Sequence, residues 1–211
     1  MGPVALGKFI TLEGGEGVGK STQATLLADA LRARGIEVVV TREPGGTAGA
    51  EAIRDLLMTG SEDRWSARAE ALLFAAARAD HVEKLIRPAL ERGAWVVCDR
   101  FIDSTRAYQG GAGGVSDDDI LALHQVGSDG LMPDRTFLLQ LSETEAADRI
   151  RRRVGVNDDR FGTRESAYHR RLNAAFCQLA ENEQARFRLI DSFGSVQSIT
   201  EQLFAGLDDL L

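Results

Sequence analysis

Lysine is nearly missing from this chain. Of its 25 basic residues only Lys8, Lys20 and Lys84 are lysine and the remainder are arginine, so a lysine marks a place that needs a compact ammonium rather than a planar fork. Cysteine is equally scarce. Cys98 and Cys177 are too few for a disulfide framework or a cysteine-built metal site, and their apolar flanks lead us to expect buried free thiols. No stretch approaches the roughly 18 apolar residues of a membrane span, and the opening residues lack the basic-then-apolar pattern of an export leader. A cytoplasmic protein with no membrane partner is the expectation. Positive charge is in deficit, at a net −7, which excludes bulk attraction to nucleic acid or to an anionic surface. The N-K-x-D pattern that reads guanine is missing too, which argues against a regulatory GTPase. There is no internal repeat and no low-complexity tract.

What is present suits one α/β domain spanning residues 1–211, since 44% hydrophobic composition over that length supports one sizeable core. Apolar runs of strand length occur at Lys8–Glu13, Ile36–Thr41, Ala94–Asp99, Thr136–Leu141 and Phe187–Asp191. Helical spacing fills the intervals at Ser21–Arg34, Ala50–Met58, Ser66–Arg92, Ser116–Val126, Glu143–Arg153, Arg164–Glu181 and Ser195–Leu210. Near-continuous apolar strands alternating with helices predict a doubly wound, five-stranded parallel sheet flanked by helices. Pro88 should kink or split the long third region, Ser66–Arg92. The Gly- and charge-rich segment Val154–Gly162 reads as a mobile loop.

The densest signal is GGEGVGKS at Gly14–Ser21, which fills every fixed position of G-x-x-x-x-G-K-[ST] between an expected strand and an expected helix. Glycines let backbone N–H groups turn toward a polyphosphate, Lys20 adds a charge, and the helix start points its positive dipole at the anion. Gly14, Gly15, Glu16, Gly17, Val18, Gly19, Lys20, Ser21 and Thr22 are therefore the expected ATP-binding residues. Ser21 offers a hydroxyl for Mg²⁺, and Asp99, at the end of an apolar strand, could hold the same ion through water. Asp99 could equally cap the next turn. Arg100 beside it could reach a phosphate.

Two further clusters are open to more than one reading. Arg149, Arg152 and Arg153 share a helical face beside Arg151, either as a solvated basic surface or as cations awaiting an anion. Phe74 and Arg78, four apart, either join the core or present a stacking plane and a forked donor to a base.

Four segments together, FITLEGGEGVGKSTQ (9–23), TREPGGT (41–47), LLFAAARADH (72–81) and CDRFIDSTRAYQG (98–110), make the chain resemble the bacterial thymidylate kinases nearly end to end. The resemblance implies a P-loop nucleoside monophosphate kinase fold with a small arginine-rich lid at about 143–163, a homodimer, and transfer of the ATP γ-phosphoryl group to dTMP with Mg²⁺. It also implies site roles. Phe74 corresponds to the thymine-stacking aromatic and Arg78 to the base-edge donor. Arg54 and Arg100 correspond to holders of the acceptor phosphate, and Tyr108 to the aromatic that crowds the sugar. Gln109 lines that pocket along with Ser104 and Thr105. Glu13 and Glu16 correspond to carboxylates near the metal and the acceptor nucleotide. Since Gly15, Glu16, Gly17 and Val18 put no basic residue inside the loop, the catalytic cations expected beside Lys20 and Arg100 are lid arginines, Arg149 and Arg153 first, with Arg160 in the same region. A kinase for another monophosphate is the alternative.

Overall fold

Five apolar runs become five parallel strands in the computed structural model, which describes residues 6–211 except 62, 142–144 and 146–165. β1 (Phe9–Glu13), β2 (Val38–Arg42), β3 (Trp95–Asp99), β4 (Arg135–Gln140) and β5 (Phe187–Asp191) form one sheet in the order β2-β3-β1-β4-β5. Burial follows position in that order. Central β1 is buried at every residue, whereas the edge strands β2 and β5 each leave two of their five residues exposed. Thr11 of β1 lies opposite Thr136 of β4, and their hydroxyls share a hydrogen bond of 2.9 Å inside the sheet.

The helices are α1 (Lys20–Arg32), α2 (Ala48–Met58), α3 (Ala67–His81), α4 (Arg87–Glu91), α5 (Ile102–Thr105), α6 (Asp117–Ser128), α7 (Ser166–Asn182) and α8 (Val196–Ala205). Thr47, Ser66, Ser116 and Ser195 start four of them by accepting a backbone N–H through the side-chain oxygen. Leu27, Leu31, Leu203 and Leu207 cover one sheet face around Ile10, Leu12 and Val97. Val82, Ile86, Ile102 and Ile120 cover the other around Phe9, Val96 and Cys98. The sheet is thus wound on both sides, as expected.

One sequence expectation, the break at Pro88, is met, and two others are not. The long Ser66–Arg92 region is one helical path interrupted by a wide π segment at Val82–Ile86, immediately before Pro88. Proline has no N–H and its ring crowds the carbonyl four residues back, so the widened turn accommodates it. Phe101–Gly111, given no element from sequence, is helical as α5 followed by a second π segment at Arg106–Gly111. Its polar residues face partners inside the molecule, so no apolar stripe announces the helix. Cys98 is buried but Cys177 only partly so, against the expectation that both are. The expected helix Glu143–Arg153, the lid, and Arg149, Arg151, Arg152, Arg153 and Arg160 lie outside the described residues. Among the described residues no helix is long and apolar enough to cross a membrane.

Candidate active site

The chain leaves central β1 for β2 on one flank and later returns to β4 on the other, so a crevice opens at the carboxyl end of β1. The glycine loop sits there. Gly14 has φ +134°, and a Cβ on it would fall 2.4 Å from the Leu139 carbonyl oxygen, so no other residue fits. Gly19 precedes α1 without a side-chain cap, which leaves the first N–H groups of that helix available to an anion. Lys20 is 6% exposed, and its Nζ donates to Gly14 O at 3.2 Å and Gly15 O at 2.6 Å. Burial and the nearby Arg100 cation bring its ammonium down to about 8, against the opposing pull of Glu16. Ser21 Oγ donates to Asp99 Oδ2 at 2.5 Å, while buried Asp99 Oδ1 has no hydrogen-bond partner. Glu16, Gly17, Gly19, Lys20, Ser21 and Asp99 all line the cleft. Gly14, Gly15, Val18 and Thr22 do not: Val18 packs into the core and Thr22 is exposed on α1.

Arg100 joins the loop to the opposite wall. It occupies the left-handed region at φ 70°, a conformation a non-glycine residue rarely adopts, and this turns its side chain out of the β3 direction. Its Nη1 donates to Gly14 O at 3.0 Å and Ser104 Oγ at 3.1 Å, and its Nη2 pairs with Glu16 Oε1. Tyr108 Oη donates to the same Glu16 oxygen at 3.1 Å, and the Arg100 guanidinium lies 5.0 Å from the Tyr108 ring centre. Burial resists ionisation of Glu16, but Arg100 and Lys20 outweigh it and hold the carboxyl at about 2. Glu13, expected at the acceptor nucleotide, lies beneath the cleft instead. It is fully buried, and it accepts from Phe101 N at 2.7 Å and Ser104 Oγ at 2.5 Å, bracing the turn that carries Arg100. Burial, reinforced by the Asp103 carboxylate, pushes it up to about 8.

The far end of the cleft is a helix face and a clamp. Phe74 and Arg78 of α3 both line it, with Arg54, Ser104, Thr105, Tyr108 and Gln109. Arg78, 2% exposed, gives Nε to Glu43 Oε2 at 2.8 Å and Nη2 to Thr105 Oγ1 at 3.0 Å. Glu43 is gripped in turn by His81 Nδ1 at 3.0 Å, and His81 Nε2 meets Thr41 Oγ1 at 2.7 Å. Arg54 Nη1 donates to the Pro44 carbonyl at 2.8 Å, past the cis Glu43–Pro44 peptide. A cleft with fixed cations, an anion-ready helix start at one end and an aromatic beside a forked donor at the other can hold two anionic groups facing each other.

A family model described as thymidylate kinase matches residues 12–203 of the chain. The chain belongs to the thymidylate kinase family. It is 60% identical over 205 residues to the thymidylate kinase of Rhizorhabdus wittichii, covering 97% of this chain and 99% of that one. It is 48% identical over 194 residues to that of Caulobacter vibrioides, covering 92% of each. Among solved structures, the thymidylate kinase of Ehrlichia chaffeensis superposes with a TM-score of 0.78 at 31% identity, covering 96% of this chain and 99% of that chain.

In this member of the thymidylate kinase family, several residues around the cleft carried no assigned role from sequence alone. Glu43 stands inside TREPGGT, yet an isolated glutamate has no period to mark it. Its partners Arg78 and His81 are 35 and 38 residues away. Asp103 is fully buried between Arg186 and Arg106, again across long separations. Glu70 did leave a trace. It lies four residues before Phe74 and eight before Arg78, on the same face of α3.

Proposed function

We propose that this chain transfers the γ-phosphoryl group of ATP to the phosphate of dTMP, giving dTDP and ADP. The observation that carries the reading is a cleft, in a thymidylate kinase family fold, that joins a phosphate loop at one end to an aromatic and arginine-lined pocket at the other. Backbone N–H groups of residues 14–21 and the start of α1 hold the ATP phosphates. Lys20 keeps one of its three N–H donors for them beyond the two given to loop carbonyls. Arg100, fixed by Glu16 and Ser104, faces the acceptor phosphate with Arg54, and Tyr108 closes on the sugar. Phe74 stacks on the base while Arg78 reads its edge.

The residues fit a divalent cation. Asp99 offers an unpartnered buried oxygen beside the Ser21 hydroxyl, whereas Glu16 Oε1 is engaged by Arg100 and Tyr108. Among the described residues no group of three or more His, Cys, Asp or Glu could hold a metal unaided, which suits Mg²⁺ that keeps waters and substrate phosphates as ligands. When bound, Mg²⁺ neutralises charge on the transferring group. The acceptor oxygen is already anionic, so the protein's own work is positioning and charge stabilisation, with neither a covalent intermediate nor a general base. Arg149 and Arg153 supply the remaining cations. The chain works in the cytoplasm as a homodimer.

The test is a coupled assay of ADP release with Mg-ATP against dTMP, dCMP, GMP and AMP. dTMP should exceed the others in kcat/KM by orders of magnitude. Equal rates with all four would remove the thymidylate assignment and leave a general monophosphate kinase.

A further inference from the structure

Glu70 is 2% exposed, a carboxylate shut inside the fold on the α3 face that also carries Phe74 and Arg78. Its Oε2 accepts from Gln109 Nε2 at 3.0 Å. A carboxylate can only accept, while a glutamine amide has one donating end and one accepting end of nearly the same shape. Glu70 therefore draws the NH₂ of Gln109 toward itself and leaves Oε1 as the polar atom that Gln109 offers to the cleft it lines. Among the described residues no donor reaches that oxygen. Arg78 has the opposite polarity. With Nε and Nη2 committed to Glu43 and Thr105, its Nη1 has no acceptor among the described residues.

The base end of the cleft thus presents one acceptor and one donor of settled polarity. A 4-oxo pyrimidine, with a ring N–H beside a carbonyl, matches the pair. A 4-amino pyrimidine, with a bare ring nitrogen beside an NH₂, opposes both. We infer that Glu70 is a positioning residue for specificity: by fixing the amide of Gln109, it makes the site select 4-oxo over 4-amino pyrimidine monophosphates. The inference rests on the assignment of this end of the cleft to the base of dTMP. A buried donor or acceptor left facing its own kind is costly, so the orientation of one amide is enough to reject a base.

The experiment measures kcat and KM for dTMP and dCMP at saturating Mg-ATP in the native chain, Glu70→Gln, Glu70→Met, Gln109→Ala and Glu70→Gln/Gln109→Ala, with thermal midpoints to establish folding. Both Glu70 variants are made so that one folded protein suffices. Freeing the amide should raise KM for dTMP about tenfold, leave KM for ATP unchanged, and lower the dTMP-to-dCMP ratio of kcat/KM by about tenfold or more. In the Gln109→Ala background the Glu70 substitution should move that ratio less than about twofold, because Glu70 acts on the base through Gln109. A folded Glu70 variant with the native ratio, or an equal change without Gln109, overturns the inference. A native chain that does not prefer dTMP defeats the functional assignment instead, so the two failures are distinguishable.

Discussion

Lys20 concentrates the chemistry of the loop in one side chain. Charge is what it contributes and charge is what burial opposes, so Lys20→Ala should cut turnover by about a hundredfold or more while leaving the thermal midpoint unchanged or higher. Near-native turnover in a coupled assay would remove Lys20 from the mechanism. Its titration gives a second expectation. The ammonium is held at about 8 against an ordinary 10.5, so the folded protein loses this proton first as pH rises. Polyphosphate favours the charged form. ATP should therefore bind with proton uptake above pH 8 and weaken by up to about tenfold per unit from there, read by calorimetry in two buffers of different ionisation heat. The same shift means the unfolded chain binds more protons between pH 8 and 10.5, so Lys20 makes the fold relatively more stable as pH rises through that window. An ATP affinity flat from pH 7 to 9.5 would contradict the assignment.

The segment running from α5 through the π turn at Arg106–Gly111 carries Ser104, Thr105, Tyr108 and Gln109 to the cleft, and buried ion pairs hold it alongside the core contacts of Ile102, Ala107 and Tyr108. Asp103 is fully buried and accepts from Arg186 Nη1 at 2.7 Å and Nη2 at 2.8 Å, with Arg106 Nη1 at 3.2 Å. Arg106 also pairs with Asp117 at 2.8 Å and with Glu183 at 2.6 Å, tying α6 and the end of α7 to the same turn. Removing one partner of a buried pair strands the other. Arg186→Met should therefore cost about 3 kcal/mol in urea unfolding, and a loss below about 1 kcal/mol would show that Arg106 alone satisfies Asp103. The cost should appear in stability before it appears in KM for ATP, because no partner in this network belongs to the phosphate loop.

At the scale of the whole molecule, apolar side chains left on the surface bear on assembly. Leu72 of α3 is 56% exposed and Val126 of α6 is 87% exposed, on helices that pack against each other. If the homodimer forms through this face, sedimentation velocity at micromolar concentration should give a dimer and Leu72→Arg should shift it toward monomer. A native chain that sediments as a monomer would reject the dimer. The alternation of strands and helices and the strand–glycine loop–helix context were legible in sequence because each is written in neighbouring residues with a fixed period or spacing. The pair Phe74 and Arg78 stayed open from spacing alone, and only the family resemblance gave it a role at a base. The helix over 102–111 was not legible, since its buried face mixes Asp103, Thr105, Arg106 and Gln109 with the apolar residues and the partners of those polar side chains are distant. By itself, then, the sequence determined the α/β class, the phosphate loop and the scarcity of lysine that singles out Lys20. Only the tertiary structure decided the strand order, the burial of Glu13 beneath the cleft, and the pairing of Glu70 with Gln109 and Glu43 with Arg78. Those pairs lie 39 and 35 residues apart, and a lone polar residue has no pattern until folding brings its partner within hydrogen-bond distance.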